Sequence, residues 1–224
     1  MIVNLDDLEK FGFADPASAK GRLAKVRSRQ TCIIIGVDYL VRIFVLYAWA
    51  GHIQTSRYRD KIISVYDEWR PKKMGIEANG MQVCFGDLVV EKAKEMLGKI
   101  RLIPIPSPTK VEKNFKIRTT IQPIVDDGRL FVPEDMIELR SELQSFPTGR
   151  FKDLVDTLAM AIMLIPRRTS QEGHDSEIEG LAKYLRDSGA PSDYIEQRIG
   201  EMKLAASFKR EGDKSQPFTS MGGS

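Results

Sequence analysis

The chain has 224 residues, 42% hydrophobic and 29% charged, a composition that is ordinary for a folded globular protein and excludes wholesale disorder. Its longest apolar runs, residues 43–50 and 158–165, are far shorter than the roughly 20 residues of a membrane-spanning helix, so we predict no span and no secretory signal. A net charge of +3 does not by itself indicate nucleic-acid binding, and two cysteines with two histidines argue against a disulfide framework or a zinc site.

Residues 1–30 are polar and weakly periodic, and we interpret them as a linker or basic arm with one short helix around 16–27. No acid occurs between Asp15 and Asp38. Five basic residues cluster there instead: Lys20, Arg22, Lys25, Arg27 and Arg29. The stretch is either an arm that contacts phosphates or a solvated linker, and ordered structure is expected to begin at Thr31.

Strand and helix patterns alternate over residues 31–167, which predicts an α/β fold with a mixed central sheet flanked by helices. The apolar run 31–38 is typical of a strand covered on both faces. Further strands are expected at about 43–50, 73–77, 100–105 and 129–132, with helices at about 58–69, 81–97, 110–121, 134–145 and 152–165. Pro104 favours an edge position for its strand. Residues 168–224 are predicted to be a partly flexible appendage with helices near 176–187 and 192–206.

Acids stand at several positions where apolar residues would be expected. Asp38 and Glu77 each end a buried-looking strand. Asp153 and Asp156 begin an apolar helix and, three residues apart, share one of its faces. Each acid alone has an ordinary explanation as a turn former or as a favourable charge at a helix start. Carboxylates that converge repel one another and need cations, and oxygen ligands favour Mg²⁺ or Mn²⁺. Together they suggest two divalent ions, which suit phosphodiester hydrolysis.

Other reaction types lack their motifs. The chain contains no Gly-x-x-x-x-Gly-Lys-Ser/Thr, so we predict that it does not hydrolyse ATP. No Gly-x-Gly-x-x-Gly follows a predicted strand, which argues against dinucleotide binding. Neither His52 nor His174 stands in a recognisable nucleophile setting, so a Ser-His-Asp mechanism has no support.

The order of the motifs resembles the C-terminal nuclease domain of the large terminase subunit of tailed bacteriophages, a member of the ribonuclease H-like superfamily. The matching pieces are Ile35-Gly36-Val37-Asp38, Gly75-Ile76-Glu77-Ala78-Asn79-Gly80, Gly128-Arg129-Leu130-Phe131-Val132-Pro133, Glu142-Leu143 with Phe146-Pro147, and Lys152-Asp153-Leu154-Val155-Asp156-Thr157-Leu158-Ala159. Each piece is weak alone, but five in the family's order are specific.

The resemblance implies a ribonuclease H-like endonuclease that cleaves concatemeric viral DNA during genome packaging with two Mg²⁺ or Mn²⁺ ions. It carries over Asp38, Glu77 and Asp153 as catalytic metal ligands, with Asp156 as a further ligand. It also suggests DNA contacts for a set of basic residues: Lys113, Lys116, Arg118 and Lys152. For the first three, a solvated helix face is an equally good explanation.

The resemblance further implies partners and a location. The partners would be double-stranded DNA, an ATPase motor domain, the small terminase subunit and the portal, in the cytoplasm of an infected bacterium and without a membrane. Many relatives have an acid where this chain has Lys152, and the stretch between Asp38 and Ile43 is short for the family. The motor is absent, so we expect an excised domain. Two alternatives stay open: a resolvase of branched DNA on the same fold, and a catalytically weak DNA clamp that docks to the motor.

Overall fold

The computed structural model describes residues 3–17, 28–78, 82–105 and 112–166, together with helical positions at 179, 182, 186, 192–196 and 199–200. The chain divides into two compact units, Met1–Pro166 and Arg167–Ser224. The described residues of the second unit are helical and fall within the two stretches predicted as helices. Most of the helix predicted at 16–27 lies outside the described residues. In the part of the chain that is described, no helix is long and apolar enough to cross a membrane.

Six strands of the first unit form one mixed sheet. They are β1 (Glu9–Asp15), β2 (Gln30–Val37), β3 (Ile43–Gly51), β4 (Lys73–Glu77), β5 (Leu102–Ile105) and β6 (Leu130–Phe131). Their order across the sheet is β5-β4-β1-β2-β3-β6. β2 runs antiparallel to both β1 and β3, whereas the other neighbouring pairs are parallel. The predicted mixed sheet is confirmed, and Pro104 lies on an edge strand as expected.

The central strand β1 lies inside the region that we predicted to be a linker. It sits between β4 and β2, so a linker over 1–30 and a beginning of order at Thr31 are wrong. The strand escaped the pattern analysis because both of its faces are covered: Phe11, Phe13 and Ala14 are all buried, and their run lacks the alternation of a half-buried strand. Polar residues on either side made the short run look like part of an arm.

Five helices in the described part of this unit cover the two faces of the sheet: α1 (Thr55–Trp69), α2 (Gln82–Leu97), α3 (Lys113–Asp126), α4 (Ile137–Ser145) and α5 (Asp153–Met163). On one face, Ile62 of α1 and Val89 of α2 share a core with Ile34 of β2. On the other face, α3, α4 and α5 pack against β1, β2 and β3 in a second core. Every residue of α5 from Asp153 to Ile162 is buried, which explains its apolar sequence. The predicted central sheet flanked by helices is therefore confirmed.

Candidate metal centre

Two of the acids meet at the carboxyl ends of β1 and β4, because these two strands are parallel neighbours. Ala14 pairs with Ile76, and each strand has its acid, Asp15 or Glu77, as the next residue. Side chains alternate along a strand, and Phe13 belongs to the core on the α5 face, so Asp15 points to that face as well. Ile76 belongs to the opposite core, which leaves Glu77 on the same face as Asp15.

Asp15 and Glu77 interact directly through a side-chain hydrogen bond. Burial raises the pKa of Asp15 well above its usual value, and the charge of Glu77 together with a hydrogen bond to it raises that pKa further. The backbone N–H of Ala17, which donates to Asp15 Oδ1 at 2.8 Å, and the charge of Lys113 only partly oppose this. A buried carboxylate next to a second carboxylate does not ionise cheaply without a balancing cation.

Asp153 approaches from the first turn of α5. It is buried, and its Oδ1 accepts a hydrogen bond from the Ser28 hydroxyl at 3.0 Å. Its Oδ2 accepts the backbone N–H of Arg29 at 3.2 Å. The Thr157 hydroxyl donates to the backbone carbonyl of Asp153 at 2.8 Å and also contacts the Thr31 hydroxyl. The start of α5 is thereby held against the segment that leads into β2.

Two lysines of α3 bind Asp156 from either side. Lys116 is buried, with its Nζ 2.6 Å from Asp156 Oδ1, whereas Lys113 is about 45% exposed and lies 3.1 Å from Oδ2. Burial alone would lower the pKa of Lys113, but Asp156, then Asp153 and then Asp15 raise it above 10.5. Lys113 therefore interacts electrostatically with carboxylates of both the sheet and α5.

The four acids at this end of the sheet are Asp15, Glu77, Asp153 and Asp156, and we call them the carboxylate cluster.

Asp38 is not part of the carboxylate cluster, so the prediction that it meets Glu77 and Asp153 is wrong. In the antiparallel pair, Glu9 lies opposite Val37, whereas Asp15 lies at the other end of β1. The acid that follows Val37 is thus displaced from Asp15 by about seven residues of strand, roughly 23 Å. The register of the sheet puts Asp15 where Asp38 was expected.

Asp38 instead closes the turn between β2 and β3. Its Oδ1 accepts the backbone N–H groups of Leu40 at 3.0 Å and Arg42 at 2.8 Å. Its Oδ2 accepts Nε of Arg42 at 2.6 Å. All of these donors come from within four residues, so the ordinary explanation of an acid at a strand end holds for Asp38.

A signal for Asp15 was present in the sequence. Phe11-Gly12-Phe13-Ala14-Asp15-Pro16 has the same form as Ile35-Gly36-Val37-Asp38: a short apolar run with a glycine that ends at an acid. The proline after Asp15 marks the end of a strand. Two such runs in succession could have indicated a hairpin, whose two acids must lie at opposite ends.

The four basic residues expected near DNA lie in three different places. Lys113 and Lys152 line a cleft of about 410 Å³ that also contains Asp153, and Lys152 Nζ donates to Asn114 Oδ1 at 3.2 Å. Lys116 is buried against Asp156 rather than on the surface. Arg118 lines a separate cavity of about 950 Å³ between α3, α4 and β6. Of the four, Lys113 and Lys152 are the two that line the cleft beside Asp153.

Within the described ranges, no three carboxylate, imidazole or thiol groups are arranged to hold a metal ion as they stand. The carboxylates are occupied in other ways. Asp15 and Glu77 are hydrogen-bonded to each other, Asp153 accepts hydrogen bonds from the Ser28-Arg29 segment, and Asp156 binds two lysines. The donors of the carboxylate cluster are nevertheless all oxygen atoms, which is the ligand set that Mg²⁺ and Mn²⁺ prefer.

Comparison with protein-family models finds no match, and comparison with curated proteins finds none either. Among solved structures, the large terminase nuclease from thermophilic phage G20c matches 72% of this chain and 84% of its own, with a TM-score of 0.50 and 16% identity. A mutant fragment of the large terminase subunit of bacteriophage Sf6 matches 69% of this chain and 88% of its own, with a TM-score of 0.46 and 13% identity. T. thermophilus RuvC in complex with a Holliday junction substrate matches 67% of this chain and 90% of its own, with a TM-score of 0.39 and 13% identity. On the G20c match, the chain has the fold of a large terminase nuclease domain, the ribonuclease H-like fold that its sequence motifs implied.

Proposed function

We propose that this protein is a divalent-metal-dependent endonuclease that hydrolyses DNA phosphodiester bonds at the carboxylate cluster. The observation that carries the proposal is the meeting of the buried Asp15 with Glu77 at the carboxyl ends of the parallel strands β1 and β4, where the two side chains are hydrogen-bonded. Asp153 from α5 lies beside the same lysine that senses Asp15. The fold shared with the G20c nuclease supports this assignment.

The residues fit two Mg²⁺ or Mn²⁺ ions through their chemistry. The raised pKa of Asp15 beside Glu77 indicates concentrated negative charge that a cation would balance. Asp153 would supply the third ligand. Asp156 would be a further ligand through Oδ2, because the lysine on that oxygen, Lys113, is partly exposed and free to swing toward solvent. Bound cations would lower the pKa of a water and offset charge on the phosphate.

The protein's own basic groups would position the DNA. Lys113 and Lys152 at the cleft would contact phosphates on either side of the cleaved bond, since they lie next to Asp153. Lys116 would stay on Asp156 Oδ1, where it limits the negative charge of the site without reaching the substrate. Arg118 lies outside this path and would serve at most a more distant DNA contact.

Cleavage of concatemeric phage DNA during packaging is the biological role that we propose for this activity. It is supported by the terminase-like order of motifs together with the terminase nuclease fold. In that role the partners would be an ATPase motor domain, the small terminase subunit and the portal, in the cytoplasm of the infected bacterium. The chemical step would require no strict DNA sequence, because phosphate contacts carry no base information.

Incubation of supercoiled plasmid with the protein tests the proposal. Nicked and linear products should form with Mn²⁺ or Mg²⁺ and should be absent with EDTA, and DNA affinity should fall as salt rises. A linear duplex and a four-way junction of equal length form the matched substrates. Strong preference for the junction would point to a resolvase, and a mobility shift without any nicking would overturn the endonuclease in favour of a DNA clamp.

A further inference from the structure

A buried glutamate outside the carboxylate cluster caps the helix that carries Asp153. Glu142 of α4 is buried, and its Oε2 accepts the backbone N–H groups of Leu154 at 2.9 Å and Val155 at 3.2 Å. Such N–H groups have no partner within their own helix. Lys152, at the position before the helix, makes no side-chain cap. The first turn of α5 is therefore held by a carboxylate from a neighbouring helix.

Arg29 connects this cap to Asp153. Its guanidinium forms an ion pair with Oε1 of Glu142, and its Nε lies 3.5 Å from Asp153 Oδ2. The backbone N–H of Arg29 donates to that same oxygen. The guanidinium is 4.2 Å from the ring centre of Phe151, which restricts its orientation. Its Nε is buried and has no hydrogen-bond partner among the described residues.

We propose that Glu142 and Arg29 are positioning residues for Asp153, an inference that rests on the proposed nuclease function. Glu142 holds the helix and orients Arg29, and Arg29 sets the rotamer of Asp153 by contacts to Oδ2. Neither residue binds a cation or DNA in this arrangement. Residues that hydrogen-bond to a metal ligand and fix its orientation raise metal affinity, because the ligand's side chain is already ordered before the metal binds.

The energetics favour positioning over plain stabilisation. A buried ion pair contributes little net stability, since desolvation of both groups offsets their attraction, and apolar side chains of similar volume often stabilise as well or better. The chain nevertheless places Arg29 and Glu142, whose side chains are only 12% and 6% exposed, at the start of the helix that carries Asp153. Glu138 provides the contrast: it pairs with the same guanidinium at 2.8 Å, but its side chain is 66% exposed and touches neither α5 nor Asp153 in the contacts described.

Calorimetric titration of the full chain with Mn²⁺, without DNA, tests the inference. Glu142→Gln keeps an oxygen that can accept the amide hydrogens of α5 but loses the ion pair, so Mn²⁺ affinity should fall by roughly 10- to 100-fold. Glu138→Gln removes the same charge from the exposed partner and should leave the affinity unchanged. Arg29→Lys keeps the charge but loses the planar fork, so it should also weaken binding.

A double variant, Arg29→Gln with Glu142→Gln, separates positioning from simple charge. It restores the net charge, so wild-type affinity in it would mean that only long-range electrostatics had changed, and the inference would be overturned. Wild-type affinity in folded Glu142→Gln and Arg29→Lys would overturn it too, while leaving the nuclease proposal intact if the plasmid is still nicked. A wild-type protein that neither binds Mn²⁺ nor nicks DNA would remove both.

Discussion

Asp15 is the last residue of β1 and Asp38 follows β2, yet the two acids stand at opposite ends of this antiparallel strand pair and have opposite kinds of neighbour. Asp38 is surrounded by donors from its own turn, above all Arg42. Asp15 faces another acid, Glu77, from a strand far along the chain. An acid at a strand end is thus a candidate site residue when the fold brings a second acid next to it. It is a turn former when donors of its own loop form hydrogen bonds to both carboxylate oxygens.

The cations that accompany the two ends differ in the same way. At the Asp38 end, the guanidinium of Arg42 is local and partly exposed. At the Asp15 end, the cations come from α3 and are shared among several carboxylates, with Lys116 buried against Asp156. The ion pair between Asp38 and Arg42 stabilises its own turn. Two lysines interact with the four carboxylates at the other end, so bound cations could balance the remaining negative charge. The following substitutions test this contrast, from the largest expected effect to the smallest.

Asp15→Asn should reduce plasmid nicking by more than roughly 100-fold, because losing a metal ligand should cost at least as much as losing a group behind one. Without divalent cations its free energy of unfolding should be equal to or higher than that of the wild type, since the repulsion with Glu77 is removed. Asp38→Asn is the matched control and should nick at the wild-type rate. Loss of nicking in Asp38→Asn, with Asp15→Asn active, would reverse the assignment of the two ends.

Lys116→Met should lower the free energy of unfolding by about 3–5 kcal/mol, because it leaves the buried Asp156 without its nearest cation. Lys113→Met, which removes the partly exposed lysine from the same carboxylate, should cost only about 0–1 kcal/mol. Urea unfolding of both variants measures the difference. Equal losses would mean that burial does not distinguish the two lysines.

Asp38→Ala should lower the free energy of unfolding by about 1–3 kcal/mol, because two backbone N–H groups and the Arg42 guanidinium lose their acceptor. Nicking by the folded variant should be unaffected. Thermal and urea unfolding measure the first effect and a plasmid assay the second. A variant as stable as the wild type would show that water replaces the carboxylate in this turn without cost.

Two glycines, each two residues before an acid, offer the finest comparison. A Cβ on Gly75 would lie 2.6 Å from the ring of Phe13 and 2.7 Å from Ile105, so Gly75→Ala should cost about 1–3 kcal/mol through overpacking. It should also weaken Mn²⁺ binding, because Glu77 is close by. A Cβ on Gly36 would meet the flexible end of Leu8 at 2.6 Å, so Gly36→Ala should cost less. Equal Mn²⁺ affinities in the two variants would contradict the placement of the site.

Much of the fold was predictable because periodicity reports which side of an element is buried. The strand at 73–77 was predicted with the bounds that the structure has, and the helix at 152–165 differs from α5 only at its ends. Glu77, Asp153 and Asp156 were predicted as site residues because acids interrupt those apolar patterns. β1 was missed because a short strand buried on both faces has no alternation, and its flanks are polar.

The amino-acid sequence by itself determined the layered α/β architecture, the burial of α5 and the identity of three of the four clustered acids, because these depend on local patterns of apolar and charged residues. Only the tertiary structure decided that Asp15 and not Asp38 is the fourth, and that Lys116 faces inward. Strand direction and register determine which end of a strand meets which neighbour, and both depend on pairing between distant segments that local periodicity does not encode.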